Sequence, residues 1–256
     1  MMKMNRTRQR LQNGETCIGT LVREIRSPQV VQLLAAAGWD FIILDTEHGP
    51  LDMHSVADFA SVAFREDMTL LVRIPDNLYH LMARVLDLGA EGLMCPRVDN
   101  RQEAIEIVQA VKYAPLGCRG VGMSGITTAY RPVDLAEHLS FANNNTLIIV
   151  QIESVAALEG LHEILSVPGI DVALVGPADL SQSMGIPGQY ENRRMVEAFE
   201  RVISACKDHG LAPGMHFMNL ALMREWISRG MRFVTYGTDF SLLQEASCRA
   251  LKSLRG

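Results

Sequence analysis

The sequence predicts a closed (β/α)8 barrel of the TIM type, folded as a single domain over residues 1–256. Three observations carry that expectation: eight short apolar runs, an amphipathic helix-length stretch after each, and a total length that suits one such barrel. Hydrophobic residues make up 48% of the chain, enough for one large core, and no low-complexity linker divides it.

Taken in chain order, the first element is a basic stretch with Lys3, Arg6, Arg8 and Arg10. It reads as a capping helix or a frayed end. No apolar segment follows it, so no signal peptide is expected. The strand-like runs are Ile18–Val22, Phe41–Asp45, Leu70–Ile74, Gly92–Pro96, Leu147–Ile152, Val172–Gly176, Ala212–Phe217 and Phe233–Gly237. Several are continuous leucine-rich or β-branched runs, as strands covered on both faces should be. The helical stretches are Pro28–Ala37, Met53–Arg65, Leu78–Leu88, Arg101–Tyr113, Val155–Leu165, Met195–His209, Leu220–Ser228 and Ser241–Leu254. Their apolar residues recur at three- and four-residue spacing, as in Val196, Phe199, Val202, Ile203 and Cys206. Gly38, Gly89, Gly210 and Gly230 fall where helix C-terminal caps belong.

An open doubly wound sheet is the rival architecture. It would ordinarily carry an early glycine-rich dinucleotide turn, and Gly14–Glu15–Thr16 does not supply one. The segment Pro115–Asn145, rich in Gly, Thr and Asn, fits neither pattern. It reads either as a functional loop or as a surface insertion with a short helix near Val133–Leu139.

Composition narrows the function classes. A net charge of −5 with scattered basic residues argues against a nucleic-acid partner, and no apolar run approaches the ~18 residues of a membrane span. Cys17, Cys95, Cys118, Cys206 and Cys248 form no metal or redox spacing and are expected to be free, buried thiols of a cytoplasmic protein.

In a barrel of this type the chemistry gathers at the C-terminal ends of the strands. Here the second run closes on Asp45, Thr46, Glu47 and His48, the third on Arg73, the fourth on Arg97, the fifth on Gln151 and Glu153, and the sixth on Ala178 and Asp179. Charges ending five consecutive apolar runs would converge on one mouth, where burial demands a network or an ion. Glu153 and Asp179 offer two hard carboxylates without cysteine or paired histidine, a set suited to Mg²⁺ or Mn²⁺. The competing reading has each of them capping the helix that follows. Asp45 and His48 fit an orienting carboxylate with an imidazole base, or a structural pair. Arg73 fits an oxyanion-stabilising group or a salt-bridge partner of Asp45 or Glu47, and both can hold together. The four lysines, Lys3, Lys112, Lys207 and Lys252, avoid the predicted strand ends, so a Schiff base is not expected.

At these residues the sequence resembles the HpcH/HpaI aldolases, the metal-dependent class II pyruvate aldolases. The specific pieces are Asp45–Thr46–Glu47–His48–Gly49, the Arg73 run, Gln151–Ile152–Glu153, Gly176–Pro177–Ala178–Asp179–Leu180–Ser181, and Arg119–Gly120–Val121–Gly122. The resemblance runs from Gly19 to the last helix. It implies that Glu153 and Asp179 hold a divalent cation (Mg²⁺, Mn²⁺ or Co²⁺), that Gln151 lines the pyruvate pocket, and that the backbone at Ala178 and Asp179 receives the keto-acid carboxylate. It further implies that Arg73 meets the keto oxygen and that His48, paired with Asp45, moves protons. The implied reaction is cleavage of a 4-hydroxy-2-oxo acid to pyruvate and an aldehyde. The implied assembly is a homohexamer with the last helix exchanged between subunits, although Ser241–Leu254 also suits packing on its own barrel.

Departures from the family pattern bear on the aldehyde. Thr46 stands where some relatives have glycine, Leu21–Val22–Arg23 replaces an aromatic first-strand end, and residues 123–130 lack an arginine-rich run. Arg23 is a candidate partner for an acidic or hydroxylated aldehyde, against an exposed salt bridge. Two further readings stand beside the aldolase: a lyase of acyl-CoA esters such as malyl- or citramalyl-CoA, and a non-catalytic barrel serving as an assembly subunit.

Overall fold

A computed structural model describes residues 2–123 and 125–256, so Ser124 of the departing 123–130 run lies outside the described residues. Eight parallel strands close into a barrel in sequence order: β1 (Cys17–Val22), β2 (Phe41–Asp45), β3 (Thr69–Arg73), β4 (Gly92–Cys95), β5 (Leu147–Ile152), β6 (Val172–Val175), β7 (Ala212–Phe217) and β8 (Phe233–Thr238). The open-sheet rival is thereby excluded.

Because side chains alternate along a strand, every second residue faces the barrel axis. One buried cluster contains Cys17, Leu21, Phe41, Ile43, Leu71, Met94, Leu147, Ile149, Val172, Leu174, Ala212 and Phe233. These share one phase of the alternation and fill the interior. The opposite phase, with Ile42, Leu44, Leu70, Val72, Ile148, Val150 and Ala173, packs outward under the helices in a second, larger cluster.

A first helix, α1 (Arg6–Gln12), is capped by Asn5, whose side chain accepts the Arg8 N–H. Its Leu11 joins the interior cluster and closes the floor, so the basic stretch is a capping helix rather than a frayed end. The outer layer consists of α2 (Val30–Ala36), α3 (Met53–Arg65), α4 (Tyr79–Asp87), α5 (Arg101–Val111), α6 (Leu135–Asn145), α7 (Val155–Glu159), α8 (Leu161–Leu165), α9 (Pro177–Ser183), α10 (Arg193–His209), α11 (Leu220–Ser228) and α12 (Asp239–Arg255). Gly38, Gly89, Gly210 and Gly230 all take positive φ just past helix ends, as expected.

Three expectations need correction. The Val155–Leu165 stretch is two short helices broken at Gly160. The helix in the 115–145 region is longer and later than Val133–Leu139, because Asp134 caps it and Asn143 locks its end to the backbone of Tyr113 through paired bonds of 2.7 and 3.0 Å. Among the cysteines, Cys118 and Cys248 are exposed rather than buried.

Candidate active site

The C-terminal ends of the strands form a cleft of about 470 Å³ lined by Arg23, His48, Arg73, Gln151, Asp179 and His216, among others. Strand alternation explains how they meet. Asp45 continues the inward phase of Phe41 and Ile43, Arg73 that of Leu71, Gln151 and then Glu153 that of Leu147 and Ile149, and His216 that of Ala212. Register then sets them side by side, with Asp45 directly opposite Arg73.

Asp45 is fully buried. Arg73 grips it with two parallel bonds, Nε to Oδ1 at 2.9 Å and Nη2 to Oδ2 at 2.5 Å. The backbone N–H groups of Glu47 and His48 also donate to Oδ1, at 3.1 and 3.2 Å. Burial by itself would raise the Asp45 pKa. The Arg73 bonds and charge outweigh it, and Asp45 is held below the usual carboxylate range.

The expected Asp45–His48 pairing therefore takes a different form. Asp45 accepts the His48 backbone N–H, while the acidic neighbour of the imidazole is Glu47, with Nε2 3.9 Å from Oε2. The ring is about half exposed. Arg23 reaches the same turn: its Nε and Nη2 donate to the His48 carbonyl at 2.9 and 2.8 Å, and Nε lies 3.6 Å from Asp45. Arg23 is thus engaged in holding the His48 loop.

Glu47, an expected partner of Arg73, and Arg97 complete the network. The Glu47 carboxylate is bonded by Arg97 Nη1 and lies 3.6 Å from Arg73 Nη1. Arg97 has φ of 51°, a left-handed conformation uncommon for a side-chain-bearing residue. There its N–H meets Glu153 Oε1 at 2.7 Å.

Glu153 is buried, and its other oxygen accepts Gln151 Nε2 at 3.0 Å. Its pKa is pushed up to about 7, first by burial and further by the negative charges of Asp179 and Glu47, against the Arg97 N–H and Arg73. The Gln151 Oε1 atom is buried without a hydrogen-bond partner. At Gly176 an added Cβ would stand 2.7 Å from Glu153 Oε2, so glycine keeps this wall open to the carboxylate.

The capping alternative fails for both carboxylates. Ser154, not Glu153, caps α7 by accepting the Ala157 N–H. The N-cap of α9 is Gly176, and Asp179 lies inside its first turn. Two crowded carboxylates, one of them forced toward its neutral form, with an unpartnered amide oxygen beside them, suit a hard divalent cation. Among the described residues no group of three or more His, Cys, Asp or Glu is placed to hold a metal, so such an ion would take its remaining ligands from water or substrate.

His216 is the residue the sequence reading missed. It lies in the middle of a motif-free run, and only the Ala212–Gly214–His216 alternation marks it as inward-facing. None of the lysines lines the cleft. Lys112, lowered to about 8 by burial, instead donates to the carbonyls of Asn143 and Thr146 beyond the opposite end of β5. Cys95 is fully buried, which raises its thiol pKa and leaves it protonated. Arg119–Gly120–Val121–Gly122 also lies away from the cleft. Arg119 pairs with Asp87 at 2.5 Å and covers the Tyr113 ring at 4.6 Å, while the Gly120 N–H donates to Tyr79 Oη at 2.7 Å. A smaller cavity of about 80 Å³ beside Arg119 is lined by Lys3, Glu91 and His138 and does not reach these strand ends.

The model of the HpcH/HpaI aldolase/citrate lyase family matches residues 24–246. The hydroxypyruvate/pyruvate aldolase of Pseudomonas aeruginosa is 35% identical over 255 residues, covering 100% of this chain and 93% of that protein. The 4-hydroxy-2-oxo-heptane-1,7-dioate aldolase of Escherichia coli is 34% identical over 223 residues, covering 87% and 85%. The crystal structure of an HpcH/HpaI aldolase from Desulfitobacterium hafniense superposes with a TM-score of 0.93 at 34% identity, over 100% of this chain and 97% of that one.

Proposed function

The chain belongs to the HpcH/HpaI aldolase/citrate lyase family, and on that premise we propose that it is a divalent-metal-dependent aldolase. It cleaves a 4-hydroxy-2-oxo acid reversibly to pyruvate, or a close 2-oxo acid, and an aldehyde. The observation that carries this reading is the Glu153 and Asp179 pair, neither of which caps a helix, beside the unpartnered Gln151 oxygen. The names of the relatives in Pseudomonas aeruginosa and Escherichia coli support the substrate class.

Glu153 and Asp179 would hold Mg²⁺, Mn²⁺ or Co²⁺, which when bound supplies Lewis acidity and a fixed template for the 2-oxo acid. Gln151 and the backbone at Ala178 and Asp179 position the acid's carboxylate end. Arg73, held rigid by Asp45, directs its charge at the keto oxygen, where negative charge develops. His48 takes the proton from the C4 hydroxyl, and its exposure lets it exchange that proton with solvent. The C3–C4 bond then breaks, its electron pair passing into the enolate as the aldehyde leaves. Protonation at C3 gives the 2-oxo acid. Asp45 orients Arg73 and the His48 turn through the backbone and does not itself exchange a proton.

The same reading places the enzyme in the cytoplasm as a homohexamer acting on small molecules, with no nucleic-acid or membrane partner. No described helix is long and apolar enough to cross a membrane. Assembly is supported by α12, which leaves Phe240, Leu243, Leu251 and Leu254 exposed on its own barrel.

The test is pyruvate release by metal-stripped protein from a panel of 4-hydroxy-2-oxo acids, with and without Mg²⁺, Mn²⁺ or Co²⁺. Turnover that appears only with metal is expected. Metal-independent turnover contradicts the mechanism, turnover of CoA esters alone favours the malyl- or citramalyl-CoA reading, and inactivity with every metal favours the non-catalytic barrel.

A further inference from the structure

We infer that His216 is a specificity residue: its Nε2 accepts a hydrogen bond from a hydroxyl on the substrate and so favours hydroxylated substrates over their deoxy analogues. This rests on the aldolase reading and deepens it by naming a feature of the substrate.

His216 Nδ1 lies 3.0 Å from Thr235 Oγ1. The single proton of that hydroxyl is directed at the Met215 carbonyl, 3.2 Å away. With that proton spent on the carbonyl, Thr235 Oγ1 is the acceptor for the imidazole, and on this basis we assign the ring proton to Nδ1. That leaves Nε2, on the other edge of the ring, with a bare lone pair. Among the described residues Nε2 has no protein partner, and His216 lines the cleft that holds Arg73, Gln151 and Asp179.

The ring also stays neutral. Enclosure in the barrel lowers its pKa to about 4, with the charges of Arg73 and Arg23 acting in the same direction against Thr235 and Asp45. A ring so reluctant to gain a proton is a poor acid or base near neutral pH. It is a fixed acceptor. A substrate hydroxyl satisfies it, a methyl leaves it unpaired, and a carboxylate places lone pair against lone pair.

The hydroxyl can come from either half of the reaction, and matched pairs separate the two sources. One pair is glycolaldehyde against acetaldehyde, each condensed with pyruvate and scored by kcat/KM. The other is hydroxypyruvate against pyruvate, scored by calorimetric binding to Mn²⁺-loaded protein, which needs no turnover. These are measured for wild type, His216→Leu and His216→Gln, the last of which restores an acceptor oxygen.

The expected result is a preference for the hydroxylated member of at least one pair. It should fall about tenfold in His216→Leu, the worth of one hydrogen bond, and recover in part in His216→Gln. The pair that responds identifies the source of the hydroxyl. Ratios within twofold of wild type in His216→Leu, or equal losses for both members of each pair, would overturn the assignment and leave His216 a packing residue. If His216→Leu does not fold, His216→Gln decides: retained preference supports the assignment, and a loss for both members alike overturns it. A wild type that neither turns over nor binds any of these compounds would instead contradict the aldolase reading itself.

Discussion

At the floor of the barrel Phe41 and Phe233 stack with ring centroids 4.3 Å apart, and Cys17, Leu147 and Ala212 surround them. Four residues further along the same strands, roughly 13 Å higher, the inward positions carry Asp45 above Phe41, Gln151 above Leu147 and His216 above Ala212. Backbone geometry and alternation are the same at both levels. The floor stabilises by removing apolar surface from water, whereas the mouth buries charge that only partners can offset. Part of the mouth is satisfied internally, by Asp45 with Arg73 and Glu47 with Arg97. Glu153 meets only neutral donors, the Arg97 N–H and Gln151 Nε2, while Gln151 Oε1 has no partner and one edge of His216 is open; in the proposed reaction these groups face ligands.

Paired substitutions break this contrast most sharply. Arg73→Ala should lower kcat by roughly 10²–10³ and cost about 3–5 kcal/mol of stability by leaving Asp45 buried without its partner. Adding Asp45→Asn should return much of the stability and none of the activity. Phe41→Ala should cost a similar 3–5 kcal/mol or so while kcat changes only a few-fold in the folded protein. Urea unfolding beside steady-state kinetics measures both. Loss of activity in Phe41→Ala as severe as in Arg73→Ala would show that the two levels are not separable.

Smaller effects appear with pH in metal-stripped protein. The Glu153 pKa rises from 4.5 to about 7 on folding, so its contribution to stability is whole below pH 4.5 and is lost as pH rises through about 7. The His216 pKa falls from 6.5 to about 4, so its contribution is whole above pH 6.5 and is lost as pH falls toward 4. Between pH 4.5 and 6.5 the two slopes oppose each other. Glu153→Gln should unmask the rising slope and His216→Gln the falling one, each on the order of 2 kcal/mol. Urea midpoints that run parallel to wild type in both variants would contradict these environments.

Much of this was legible in the residues. The eight strands follow from continuous apolar runs and their helical partners from three- and four-residue spacing, and the charged strand ends marked the mouth. What was hidden depended on single-residue boundaries or on closure. Whether Glu153 and Asp179 cap helices turns on α7 starting after Ser154 and α9 after Gly176, one or two residues that periodicity does not resolve. Glu47 and Arg97, 50 positions apart, meet only because the barrel curves and Arg97 adopts a left-handed backbone. The end of α6, Asn143–Asn144–Asn145, has a loop's composition, and tertiary bonds from Asn143 to Tyr113 override it. His216 kept the inward phase, but a polar residue inside a strand reads as solvent-facing until the floor beneath it is seen.

In the proposed mechanism Glu153 and Asp179 together bind a catalytic divalent ion. Titration of metal-stripped protein with Mn²⁺, followed by the loss of the free-ion electron paramagnetic signal, tests it without any substrate. One site per chain is expected in the wild type, with affinity falling at least a hundredfold in Glu153→Gln and in Asp179→Asn. Unchanged Mn²⁺ binding in either folded variant would contradict it.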